Sequence, residues 1–336
     1  MNTYQHNINR EVGNQSPQPI YAGIDISKDF LDVCLLRRHY RFTNDPNGHH
    51  GLLTLFKRQH APVHALYEST GYLSRRLVPF FRQHDIAQSC LNPLRVRNFA
   101  RSEGIQAKTD RLDALVLSRM GQDRKLQADS IPDKCILLLR EYESVLGFCI
   151  KRRTQLKNQL AAINESFLKK QLESLLKQEE KKIVRIQEKM EQLIECNKES
   201  SWKYQAYQEV SGIGKRSAMA LLSRMPEPGR LNRKEAASLL GVAPYVRESG
   251  NMKGAGRIQG GRKELRSILY MGTVSAVRSN KVLREKYDRL IAGGKSGKCA
   301  VIACSRTLII HLNGVARRVL EKIEEEKNSN IYDLII

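Results

Sequence analysis

At 336 residues with 41% apolar side chains, the chain is long enough for two or three domains with real cores and too apolar to be disordered. Its 57 Lys and Arg against 35 Asp and Glu leave a net charge of +22, which points to a polyanionic partner, nucleic acid being the commonest. That charge is spread along the chain, no run approaches the roughly 18 apolar residues of a membrane span, and the seven cysteines form no C-x-x-C pair. Membrane, zinc-site and disulfide-framework classes are set aside for reduced thiols in a cytoplasmic protein.

Residues 1–20 are polar, rich in Asn and Gln, and read as a flexible tail. A first domain over 21–130 then alternates strand and helix signals. Tyr21-Ala22-Gly23-Ile24-Asp25-Ile26 and Phe30-Leu31-Asp32-Val33-Cys34-Leu35-Leu36 predict two strands joined by the tight Ser27-Lys28-Asp29 connection. Tyr40-Arg41-Phe42-Thr43 predicts a third, Asn44-Asp45-Pro46-Asn47-Gly48 is turn chemistry, and 51–60 has helical spacing through Leu52, Leu55 and Phe56. A strand over 63–67 ends at Glu68, and 72–84 is helical with Leu73, Leu77, Phe80 and Phe81 on one face. A short strand over 87–91 stops at Asn92-Pro93, and a basic helix over 94–102 leads by a loop to Lys108-Thr109-Asp110-Arg111-Leu112-Asp113-Ala114. Three strands followed by strand–helix alternation predict a mixed α/β sheet flanked by helices.

Asp110 and Asp113, three apart at the head of a helix, share a face and repel each other. Two readings stay open for them: an N-cap and its third helical residue, favoured by the helix dipole, or ligands of a divalent cation. Asp25 sits inside the first strand, where an unpaired buried carboxylate is costly, and Glu68 ends a later strand. Neighbouring strands lie about 4.8 Å apart, so the strand acids can converge and the helix can bring its pair to them. Four acids at one point call for cations, and two Mg2+ ions about 4 Å apart suit phosphodiester chemistry.

Gly23-Ile24-Asp25-Ile26-Ser27-Lys28, Tyr67-Glu68-Ser69-Thr70-Gly71 and Lys108-Thr109-Asp110-Arg111-Leu112-Asp113-Ala114 resemble the motifs of the DEDD transposases. This is the "one-ten" insertion-sequence family, to which Piv-type DNA invertases also belong. The resemblance implies a RuvC-like, ribonuclease H-like domain with Asp25, Glu68, Asp110 and Asp113 as metal ligands. It further implies double-stranded DNA as substrate, a structured bridge RNA as guide, and assembly into dimers and tetramers in the bacterial cytoplasm, at the nucleoid.

Between Leu139 and Asn197 there is no proline and one glycine, and apolar residues from Leu146 to Phe167 and from Ile183 to Leu193 are spaced by threes and fours. This predicts a coiled-coil spacer over 131–200, with the register broken near Lys169 to Ser174. It reads either as a dimerisation arm or as a helical hairpin within one subunit. In a third, mostly helical domain over 201–336, Val210-Ser211-Gly212-Ile213-Gly214-Lys215 resembles a helix-hairpin-helix turn, with Lys215 near a phosphate. The stretch 247–263 carries five glycines among Arg247, Lys253, Arg257, Arg262 and Lys263, with Arg266 one turn along the next helix. It predicts a mobile cationic loop that wraps a phosphate backbone, to which Lys108 and Arg111 add from the first domain. Gly293-Gly294-Lys295-Ser296 lacks the first glycine of a Walker loop and Gly254-x-Gly256 the third of a dinucleotide fingerprint, so nucleotide-site readings fail. The same DEDD family has a C-terminal domain resembling this segment, with a Ser-Gly pair whose serine is the strand-exchange nucleophile. That resemblance puts the role on Ser249, with Ser267 a distant second.

Overall fold

The computed structural model describes residues 18–69, 72–129, 133–245, 248–249, 252–253 and 256–332. They fall into two compact units, Met1–Ile131 and Pro132–Ile336.

The first unit is built on a five-stranded sheet of β1 (Ile20–Ile26), β2 (Phe30–Leu35), β3 (Arg38–Thr43), β4 (Val63–Glu68) and β5 (Ala87–Leu91), in the order β3-β2-β1-β4-β5. The β1–β2 and β2–β3 pairs are antiparallel, β1–β4 and β4–β5 parallel. Side chains alternate between the faces of a strand, and β1 shows what each face meets. Ile20, Ala22, Ile24 and Ile26 join Leu52, Phe56, Leu77 and Phe81, under α1 (Pro46–Lys57) and α2 (Tyr72–Gln83). On the opposite face Tyr21 joins Leu66, Val96, Phe99, Leu117 and Met120, under α3 (Pro93–Ser102) and α4 (Asp110–Arg124).

The α1 helix begins well before the predicted 51–60 helix. Asp45 caps it by accepting from Gly48 N, and Pro46 occupies the first turn. The Asn44 to Gly48 stretch is therefore capping as well as turn chemistry, since Asp-Pro serves both. After α4 the chain runs along the outer edge of β5. Asp129 N donates to Gln88 O (2.7 Å), Ser89 Oγ to Gln127 O (2.9 Å), and Cys90 N to the Asp129 carboxylate (2.7 Å). An otherwise open sheet edge is covered.

In the second unit the predicted spacer is an intrachain helical hairpin, α5 (Lys134–Ala162) and α6 (Ser166–Glu195). Arg152 faces Glu179, Lys157 faces Glu180, and Cys135 Sγ donates to Leu193 O, so the helices run antiparallel. The break falls at 163–165, ahead of the predicted 169–174. Apolar spacing by threes and fours gives no warning of it; Glu165 marks it by capping α6 through Leu168 N. The base of the hairpin shares one core with the helices that follow, through Leu139, Leu146, Met190 and Ile194. These are α7 (Lys198–Gln208), α8 (Lys215–Arg224), α9 (Arg233–Leu240), α10 (Lys263–Ser279), α11 (Lys281–Ala292) and α12 (Gly297–Tyr332). Within α12, Gly297–Ser329 is long and apolar enough to cross a membrane, contrary to the expectation that no run comes near that length. More than half of that apolar window is buried, and α12 packs on α7, α9, α10 and α11 as a core helix.

Parts of the glycine-rich stretch predicted as a mobile loop are paired as strands, and residues 246–247, 250–251 and 254–255 lie outside the described residues. Pro244–Tyr245 (β6) pairs antiparallel with Arg257–Ile258 (β9), and inside them Glu248–Ser249 (β7) pairs with Met252–Lys253 (β8). These two short pairs are the described part of a narrow β-ribbon, with Ser249 opposite Met252.

Candidate active site

The odd-numbered residues of β1 set the geometry. Gly23 lies so close under α4 that a Cβ there would sit 2.0 Å from Ala114 O and 2.6 Å from Ser118 N. Two residues earlier, the Ser118 hydroxyl donates to Tyr21 O (2.8 Å), and Gly121 fits against Tyr21 and Leu66. The helix thus runs antiparallel to the strand. Two strand residues rise about as far as four helical ones, so the next β1 residue on this face, Asp25, reaches the first turn of α4. There it comes within electrostatic reach of Asp110 and Asp113. Ile24 pairs with Tyr67 in the parallel β1–β4 register, which brings Glu68 level with Asp25.

The electrostatics record this convergence. Burial, reinforced by Asp113, Asp110 and Glu68, pushes the Asp25 carboxyl up to about 6. Burial and Asp113 raise Glu68, against the pull of Lys108. Burial raises Asp113, while Lys108 and Arg97 draw it back. Lys108 Nζ stands 4.0 Å from the Asp113 carboxylate. The capping role considered for Asp110 is filled by Thr109, whose hydroxyl accepts from Leu112 N (3.2 Å). Both aspartates are left free to face Asp25.

Oxygen-only donors suit a hard divalent ion such as Mg2+, and the repulsion that lifts Asp25 is what a cation among them relieves. In their donor chemistry the four carboxylates suit such an ion, but among the described residues no three His, Cys, Asp or Glu side chains stand close enough together to hold a metal ion.

Two neighbours of the acids escape sequence reasoning. Asp32 is the cross-strand partner of Asp25, is only 4% exposed, and is held by His39 (2.7 Å) and Arg41 (3.8 Å). A three-residue connection over 27–29 would set residues 25 and 31 opposite each other; the turn takes in residue 30 as well, and that shift of one brings Asp32 opposite Asp25. Arg97 lies on α3, its guanidinium donating to Gln106 O and acting on Asp113; helical periodicity marks it as outward, with nothing to say what it faces.

The basic residues divide. Lys108, Arg111, Arg257 and Lys263 are exposed. Arg262 is bound by both nitrogens to Glu227 (2.6 and 2.5 Å), and Arg266 donates to Gly241 O and Gly260 O at the foot of the β-ribbon. Both therefore have partners within the protein. Lys215 opens α8, as the hairpin-turn reading expects, but its ammonium is 2.8 Å from Glu191. Ser267 back-bonds to Lys263 O within α10. Arg247 lies outside the described residues, as do the side chains of Ser249 and Lys253.

Residues 22–169 match a family described as Transposase, and residues 204–288 match the family described as Transposase IS116/IS110/IS902 family. Pilin gene-inverting proteins of Moraxella lacunata and Moraxella bovis are each 28% identical over 313 residues, spanning 89% of this chain and 96% of the relative. A mixed α/β unit followed by a mostly helical one, each matched in part by a transposase family, makes this chain a DNA transposase/recombinase similar to the IS116/IS110/IS902 transposases.

Proposed function

We propose that this transposase breaks and rejoins DNA strands with Ser249 as nucleophile and with Asp25, Glu68, Asp110 and Asp113 holding Mg2+, two ions in all. The coupling of Asp25 to the three other carboxylates carries the reading. The β3-β2-β1-β4-β5 order, two antiparallel pairs beside two parallel ones, supports a RuvC-like, ribonuclease H-like domain. When bound, the ions stabilise charge on the attacked phosphate and make the serine hydroxyl a better nucleophile.

Ser249 Oγ forms a bond to phosphorus as the bond to the deoxyribose leaving oxygen breaks. The serine proton passes to a base, and the leaving oxygen takes up a proton. The phosphoserine link keeps the bond energy, so a hydroxyl of the new partner strand can displace the serine and restore a phosphodiester. Lys108, Arg111, Arg257 and Lys263 offset phosphate charge along the bound strand. A bridge RNA as guide, dimers that assemble to tetramers, and action at the nucleoid in the cytoplasm complete the proposal.

The test is strand exchange on a plasmid carrying the element's ends. Ser249→Ala and Asp25→Asn should each abolish exchange while melting like the parent. Exchange retained by Asp25→Asn removes the acid cluster from the chemistry; cleavage without rejoining in Ser249→Ala assigns the hydrolysis to water. The gene-inverting relatives favour a second reading, inversion of a DNA segment, which we pair with the absence of an RNA guide. Sequencing the RNA that co-purifies with the protein separates the two, since a guided enzyme retains one defined species.

A further inference from the structure

We infer that the outer face of α3 is the seat of the DNA strand that enters the acid cluster, with Arg97 and Arg101 taking its phosphates; this deepens the reading above and rests on it. The helix starts where it must for that task. Leu91, the last residue of β5, pairs with Glu68, and Ser69 N donates to Leu91 O, so α3 leaves the sheet beside the acids. Its inner face is fixed by Val96, Phe99 and Ala100 in the core. The remaining positions Leu94, Arg97 and Arg101 lie three and four residues apart, on one outward face, and Arg95 flanks them.

Charge supports the assignment. Its ten residues, PLRVRNFARS, contain three arginines and no acid. Among the described residues none of the three is in an ion pair, whereas Arg216 and Arg224 bind Glu143, Arg230 binds Glu199 and Arg262 binds Glu227. Guanidinium groups without carboxylate partners match phosphate geometry. Arg97 also reaches toward the site itself, through Gln106 O on the loop to the acidic pair and through its effect on Asp113. Leu94, 66% exposed at the head of the same face, gives a base or sugar an apolar contact between the phosphate contacts.

The experiment uses the full-length protein with whatever RNA it retains, and a labelled duplex spanning the junction of the element's end with flanking DNA. Binding is measured from 50 to 300 mM salt. Each phosphate contact contributes a slope of about 0.9 in log affinity against log salt, so Arg97→Gln/Arg101→Gln should flatten the slope by about 1.5 to 2 and weaken binding about tenfold near 0.1 M. Arg97→Lys/Arg101→Lys keeps the charge and should restore most of the slope. An unchanged slope in the double glutamine variant refutes the inference, and so does loss of the co-purifying RNA, which would give the face to RNA. Asp25→Asn, run alongside, should bind with the parental slope and exchange no strands. Exchange by Asp25→Asn overturns the acid-cluster reading whatever α3 does.

Discussion

Gly23→Ala is the sharpest probe of how the fold builds the site. The added methyl would stand 2.0 Å from Ala114 O and 2.6 Å from Ser118 N, both backbone atoms that no rotamer change can move. An ordinary contact needs about 3.5 Å, so α4 must retreat from β1 by about 1 to 1.5 Å. Overpacking of this severity costs about 3 kcal/mol. The helix that retreats carries Asp110 and Asp113, so the displacement falls on the distance between the two aspartates and Asp25. A misplacement of about 1 Å is enough to lower a rate about 100-fold. Urea unfolding of the purified variant gives the first quantity and plasmid strand exchange the second. A variant that unfolds at the parental urea concentration and exchanges strands at the parental rate refutes the claim that contact at Gly23 sets the acid geometry.

Three further outcomes follow from the same packing. Thr109→Ala removes the cap of α4 and should cost about 1 kcal/mol, with a larger loss of strand exchange than of melting temperature, because the uncapped turn holds Asp110 and Asp113. Glu143 is 1% exposed and bound to Arg216 at 2.6 and 2.7 Å and to Arg224 at 3.0 Å, so Glu143→Ala unties α5 from α8. With both arginines partly in solvent the loss should be about 2 to 3 kcal/mol, below the range for a fully buried pair, measurable by urea unfolding. Glu199, drawn to about 2 by Arg230 and Lys203 against the cost of burial, contributes stability present above about pH 4.5 and lost as pH falls toward 2. Lys203, 2% exposed and itself pushed down by burial, opposes that gain only in the alkaline range. A shift of this size is about 3 kcal/mol for a buried group; with 36% of the Glu199 side chain in solvent, screening reduces it to about 1 to 2 kcal/mol. Glu199→Gln should flatten the acid limb of a melting-temperature profile between pH 4.5 and 2, and an unaltered limb counts against the pairing.

The first unit was legible because its strands alternate cleanly. Tyr21, Gly23 and Asp25 against Ile20, Ala22, Ile24 and Ile26 separate the two faces of β1 before any coordinates. The acids followed, since Glu68 ends a strand signal and Asp110 and Asp113 open a helical one. Chain reversals were harder. Asp45-Pro46 serves turns and helix starts alike, and only the packing of Leu52, Leu53 and Phe56 decides for a helix. The α5–α6 reversal needs three residues without glycine or proline, and its one local mark is the Glu165 cap of α6. Glycines in 250–261 were read as mobility, whereas Gly260 and Gly261 adopt positive φ (66° each) at the foot of the ribbon, a conformation that glycine supplies without strain.

Net charge was the weakest guide to individual contacts. A value of +22 invites every Lys and Arg onto the phosphate backbone, yet a guanidinium within reach of a carboxylate is already neutralised and gains little from an anion. Arg262 and Lys215 were both chosen for their motifs and both hold glutamates, Glu227 and Glu191. Arg97 and Arg101 belong to no motif and hold none. Partner-seeking charge is therefore what remains after internal pairs are subtracted. In the first unit that remainder includes Arg95, Arg97 and Arg101 of α3 and Arg111 beside the acids that repel the same phosphates. Such an arrangement lets the strand approach four carboxylates without first meeting their negative field, and it predicts that removing α3 charge weakens capture of DNA before it slows the chemistry.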